Sequence, residues 1–154
     1  LLSSAETMET GFVFLKPMLD EKTSARRGKI LLATVEGDIH DIGKHIVALL
    51  LRNHGFEVVD MGKDVAAEKI IAAARKENPD IIGLSALMTT TMVKMKEVIC
   101  AAKKEELDVP FLVGGAVVDA DYAKSIGAVY ARDGVEAVSR AQEIMAARGC
   151  PKNT

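Results

Sequence analysis

The sequence predicts an α/β fold, one parallel sheet of five strands wound with helices on both faces. From Lys29 onward, short runs rich in Ile, Leu and Val alternate five times with stretches of helical periodicity. The first, third and fourth of those runs are apolar at consecutive positions rather than at every second one, as strands covered on both faces require. With 154 residues, 49% of them apolar, the chain has the length for one such unit and a short appendage.

The elements follow in order. Leu1, Leu2, Ala5, Met8, Phe12, Leu15 and Leu19 recur at spacings of three and four, which predicts an amphipathic helix ending near Pro17 to Asp20. The polar, basic stretch from Glu21 to Gly28 reads as a linker and the one domain boundary, so residues 1–27 form the appendage, 28–150 the main unit and 151–154 a tail. Strands are predicted at Ile30 to Val35, Glu57 to Met61, Ile81 to Ser85, Phe111 to Val113 and Val129 to Ala131. Helices are predicted at Asp41 to His54, Ala66 to Glu77, Thr90 to Glu106, Asp119 to Ile126 and Val135 to Arg148. Gly55 and Gly127 stand where left-handed helix ends are expected, and Asn78-Pro79 blocks continuation of the second helix. The commonest open order for five such units is 2-1-3-4-5, a Rossmann- or flavodoxin-like arrangement that binds ligands outside the carboxyl ends of strands 1 and 3.

Composition removes several functions. Aromatic residues make up 4% of the chain and the net charge is −2, so a basic or base-stacking nucleic-acid surface is not expected. No run of about 18 apolar residues could span a membrane. Glu6 and Glu9 stand where a secretory leader would be positive. Cys100 and Cys150 lack C-x-x-C spacing and read as free thiols of a cytoplasmic protein. The missing initiator Met suggests a piece of something longer.

Three separated signals fall on the carboxyl edge of the predicted sheet. Asp38 and His40 follow strand 1, Ser85 ends strand 3, and Gly114-Gly115 ends strand 4. Each has an ordinary structural reading: a surface His, glycines that permit tight turns, a Thr among Thr89-Thr90-Thr91 as helix N-cap, and Asp38 and Asp41 facing the positive end of a helix. His45 and His54, inside the first helix, are given no role.

Together, D-x-H-x-x-G at 38–43, S-x-L at 85–87 and Gly-Gly at 114–115 resemble the cobalamin-binding signature of base-off, His-on corrinoid proteins, over most of the chain. Asp38-Ile39-His40-Asp41-Ile42-Gly43-Lys44 looks like the methyltransferase branch, since the mutase branch has an Arg where Ile42 stands. Ser4-Ala5-Glu6-Thr7-Met8 and Leu15-Lys16-Pro17 are similar to the last helix of the cap in cobalamin-dependent methionine synthase.

The resemblance implies roles for individual residues. His40 would be the lower axial ligand of cobalt, a suitable task for a neutral imidazole. Asp38 would take its other ring N–H, and Thr91 would extend the relay, so that loss of the axial bond is coupled to proton uptake. Gly37, Ile39, Asp41, Ile42 and Gly43 would complete the loop under the corrin. Ser85, Leu87 and Thr89 would line a slot for the cofactor's nucleotide tail, Gly114 and Gly115 would admit it, and Asp133 with Gly134 would touch it at the end of strand 5.

By the same resemblance the chain is a methyl-carrying module of methionine synthase using methylcobalamin, with homocysteine- and methyltetrahydrofolate-binding modules and a reductive reactivation partner elsewhere. Its single cap helix would leave the upper corrin face exposed. The alternative is a free-standing corrinoid protein of a methanol, methylamine or methoxy-aromatic methyltransferase. A metal-free phosphorelay receiver would need an Asp where Ser85 stands and a Lys where Arg132 stands. A zinc site from Asp38, His40 and Asp41 would leave the distant motifs unexplained.

Overall fold

The structure, a computed structural model, describes residues 27–149. The helix expected near the start of the chain, residues 21–26 of the linker, Cys150 and the tail lie outside these residues. The described elements alternate as β1 (Gly28–Thr34), α1 (Ile42–Asn53), β2 (Phe56–Asp60), α2 (Ala67–Glu77), β3 (Ile81–Ser85), α3 (Thr89–Lys104), β4 (Phe111–Gly114), α4 (Ala120–Ser125), β5 (Val129–Tyr130) and α5 (Gly134–Gly149).

The sheet is parallel with the order β2-β1-β3-β4-β5. Its interior is explained by strand alternation, in which successive side chains point to opposite faces. Ile30 and Leu32 join Ile81 and Leu112 against Ala48 and Leu51 of α1 and Ala137, Val138 and Ala141 of α5. Leu31, Ala33, Ile82, Leu84 and Val113 face the other way, onto Ile70, Ile71 and Ala74 of α2 and Met95, Val98 and Ile99 of α3. Each buried Ile, Leu, Val or Met among these contributes about 1.5–3 kcal/mol, and burial on both faces is why the central strands read as continuous apolar runs.

Helix ends follow the sequence closely. Asn78 is left-handed at φ 49°, so α2 stops before Pro79, and Gly55 and Gly127 take positive φ just beyond α1 and α4. Strand ends are less regular. β1 begins two residues earlier than hydropathy indicates because Gly28 and Lys29 pair with Phe56 and Glu57. Val35 leaves the sheet for an isolated bridge to Val65. The expected Thr cap of α3 is replaced by Met88, whose side chain makes no capping bond. No helix among the described residues is long and apolar enough to cross a membrane.

Candidate functional site

The loop after β1 is shaped by its own hydrogen bonds. Val35 N–H donates to the Ser85 carbonyl at 3.1 Å, and Asp38 N–H returns to the Val35 carbonyl at 3.1 Å. Gly37 supplies the positive φ, +84°, that this reversal needs. The turn drives the Asp38 side chain inward to 0% exposure and leaves the His40 side chain 46% exposed.

Asp38 is the hub. Its Oδ1 accepts from His40 Nδ1 at 2.8 Å and from the His40 main-chain N–H at 3.0 Å. Its Oδ2 accepts from the Leu87 N–H at 2.8 Å and from the Thr91 hydroxyl at 2.7 Å. Burial by itself would raise the pKa of this carboxyl, but the hydrogen bonds from Thr91, Leu87 and His40 outweigh it and hold the group well below the usual carboxylate range. A carboxylate accepts only, so the His40 proton sits on Nδ1 and the lone pair of the neutral ring is on Nε2. Among the described residues Nε2 has no hydrogen-bond partner.

A second set of contacts, unread in the sequence, fixes the same loop from the β2–α2 turn. The Asp64 carboxylate accepts the Gly37 N–H at 2.7 Å, and the Asp64 N–H donates to the Asp38 carbonyl at 2.9 Å. Lys44, 3% exposed near the start of α1, donates to Asp60 Oδ1 and to the Gly62 carbonyl, the latter at 2.9 Å. Burial would raise the Asp60 pKa, yet the Lys44 ammonium and the Gly62 N–H lower it. His45 is no idle surface residue, because its Nε2 lies 3.2 Å from Asp41 Oδ2 and 3.6 Å from Asp60 Oδ2. One signal for this network was available: Lys44 falls on the stripe Lys44, Ala48, Leu51 that α1 buries, and a buried ammonium needs a counter-charge.

The remaining expected residues lie at the ends of the neighbouring strands and at the starts of the helices that follow them. Ser85 pairs in register with Thr34 on one side and Gly114 on the other, so the three form a row across the carboxyl end of β1, β3 and β4. Gly115 has φ +131° and approaches so closely that a Cβ would lie 1.8 Å from the Ala86 carbonyl oxygen. Ile39, Leu87 and Met88 are exposed apolar side chains around His40, at 64%, 40% and 36%. Asp41 and Ile42 mark the start of α1, Gly43 has open space above it, and Thr89 opens α3 at the surface.

Asp133 and Gly134 follow β5 at the start of α5. Asp133 Oδ1 caps α5 by accepting the Glu136 N–H at 2.8 Å, and a Cβ on Gly134 would meet Leu50 Cδ1 at 2.6 Å. Both have sufficient structural explanations. No group of three or more His, Cys, Asp or Glu among the described residues could hold a metal ion, which removes the zinc alternative: Asp38 is saturated and Asp41 turns to His45.

The family model described as the B12 binding domain matches residues 28–141. The chain belongs to the B12-binding domain family. Its cofactor is therefore cobalamin. This B12-binding chain is 43% identical over 150 residues to dimethylamine corrinoid protein 1 of Methanosarcina acetivorans, covering 95% of this chain and 70% of the relative. It matches the structure of the methanol:cobalamin methyltransferase complex MtaBC from Methanosarcina barkeri with a TM-score of 0.77 and 38% identity, covering 94% of this chain but 56% of that one. It matches the Methanosarcina barkeri monomethylamine corrinoid protein with a TM-score of 0.80 and 33% identity, over 93% of this chain and 69% of that one. These relatives favour the free-standing corrinoid alternative over the methionine synthase reading.

The residues present fit a corrinoid. A single outward imidazole nitrogen suits a metal whose other ligands would come from its own macrocycle. The exposed ring of Ile39, Leu87 and Met88 offers apolar surface to that macrocycle. The Thr34 hydroxyl is buried without a hydrogen-bond partner among the described residues, as a group awaiting one would be.

Proposed function

We propose that this chain is the corrinoid component of a methylamine- or methanol-type methyltransferase system, with His40 as the residue that would hold the cobalt. The identity to a dimethylamine corrinoid protein along 95% of the chain is the observation that carries the functional class. The four-donor anchoring of Asp38 supports the ligation. Bound cobalamin supplies a cobalt centre that accepts and releases a methyl group. The protein's part is positional and electronic. His40 Nε2 would be the donor atom, Asp38 would hold the ring and raise its basicity through Nδ1–H, and the Thr91 hydroxyl with the Leu87 N–H keeps Asp38 ionised. Asp38 would keep its hydrogen bond to Nδ1–H while Nε2 engaged the metal.

The partners on this reading are a methyltransferase that loads the corrinoid from a small methylated amine or alcohol and a reductive reactivation protein. The methionine synthase reading, with homocysteine and methyltetrahydrofolate modules, draws on residues 1–20, which lie outside the described structure.

Two measurements test the proposal. Hydroxocobalamin added to the apo protein should give a histidine-ligated absorbance spectrum that His40→Ala abolishes; identical bound spectra for the two proteins would rule out the ligation. The reduced, loaded protein is then offered methyl groups from dimethylamine, monomethylamine or methanol with the matching methyltransferases. Methylation only by methyltetrahydrofolate, with transfer to homocysteine, would return the assignment to methionine synthase.

A further inference from the structure

One polar group in the interior is left over once the site has been described. Thr34, the last residue of β1, is 0% exposed, and its Oγ1 has no hydrogen-bond partner among the described residues. Its main chain is fully used, the N–H donating to the Gly62 carbonyl at 3.0 Å and the carbonyl accepting the Val65 N–H at 3.1 Å. A buried hydroxyl without a partner costs about 1–3 kcal/mol, and a Val of the same shape would avoid that cost. The folded chain tolerates a penalty that one conservative substitution would remove.

The position of Thr34 indicates why. By strand alternation it shares a sheet face with Ile30 and Leu32, the face covered by α1 and α5. Its register partner Ser85 and the next residue in the row, Gly114, lie on that same face by the same count along β3 and β4. Neighbouring parallel strands are about 4.8 Å apart, so two hydroxyls stand side by side next to a residue with no side chain. The row ends β1 and β3 at the point where the winding of the sheet reverses. The His40 loop begins one residue beyond it.

We propose that Thr34 is a cofactor-binding residue whose hydroxyl donates a hydrogen bond to the nucleotide tail of the corrinoid, beside Ser85. This rests on the reading of the chain as a cobalamin carrier and adds to it a residue that selects for the tail. The unpaired hydroxyl of the apo protein is then a stability cost retained for binding, recovered when an acceptor on the tail enters the row.

The test uses Thr34→Val, which keeps the shape and removes only the hydroxyl, with two ligands: hydroxocobalamin, which has the nucleotide tail, and cobinamide, which lacks it. The expected results run in opposite directions. Apo Thr34→Val unfolds at a higher urea concentration than the wild type, while its Kd for hydroxocobalamin rises about five- to tenfold, the worth of one neutral hydrogen bond. Its Kd for cobinamide is unchanged. Equal weakening of both ligands, unchanged binding of both, or a less stable apo variant would each overturn the assignment. Failure of the wild type itself to bind hydroxocobalamin would instead refute the cobalamin-carrier reading.

Discussion

Asp38 holds the central position because its two oxygens are occupied by groups from three different segments: its own loop, the Leu87 main chain after β3 and the Thr91 hydroxyl in α3. The imidazole is thereby tied to the sheet rather than to a free loop. Thr91→Val removes one charge-assisted bond to a buried carboxylate and should lower stability by about 2 kcal/mol at pH 7, read from urea denaturation. The pH dependence has a definite sign. The hydrogen bonds depress the folded-state pKa of Asp38, so their stabilisation is complete above the unfolded-state value of about 3.9 and is lost as pH falls below it. The gap between wild type and Thr91→Val should therefore narrow progressively below about pH 4; a gap independent of pH would show that Thr91 does not act through the ionised carboxylate. At this scale the sequence was legible for Asp38, His40 and Thr91, which carry a recognisable spacing. It was not legible for Asp64, an Asp in a turn whose carboxylate happens to meet Gly37 only after β2 is laid against β1.

Among the elements, α1 connects the His40 loop to the rest of the molecule. Its buried stripe carries Lys44, held by Asp60 and the Gly62 carbonyl, so the start of this helix is pinned to the end of β2 by charge as well as by Ala48 and Leu51. Lys44→Met keeps the apolar stem but strands Asp60, which retains some solvent contact at 20% exposure. We expect a loss of about 2 kcal/mol, measured by urea denaturation at pH 7. The deficit should shrink on acidification, because the Lys44 contact that lowers the Asp60 pKa stabilises only the ionised form. No change in the denaturation midpoint would mean that the ammonium contributes nothing net. The existence and type of all five strands and the five helices after them were readable from periodicity. The start of β1 was not, because pairing of Gly28 with Phe56 depends on a neighbour that hydropathy does not report.

Across the whole molecule, the order β2-β1-β3-β4-β5 places the ends of β1, β3 and β4 side by side, and with them His40, Ser85 and Gly114. A ligand held at that edge touches several elements at once and should stabilise the entire unit. Hydroxocobalamin at about 100 times its Kd should add about 2.7 kcal/mol to the unfolding free energy, with a smaller gain for His40→Ala at the same concentration. Equal stabilisation of both proteins would place the binding energy away from the imidazole.

The sequence by itself determined the α/β class and the three motifs, because hydrophobic period and motif spacing are local properties of the chain, while the strand order expected as the commonest was decided by strand pairing. Only the tertiary structure decided that Asp38 is enclosed by four donors, that Lys44, Asp60 and Asp64 brace the loop, and that the Thr34 hydroxyl is buried without a partner. Those facts depend on which distant groups meet when the strands pair, and burial turns each such meeting, or its absence, into a free energy.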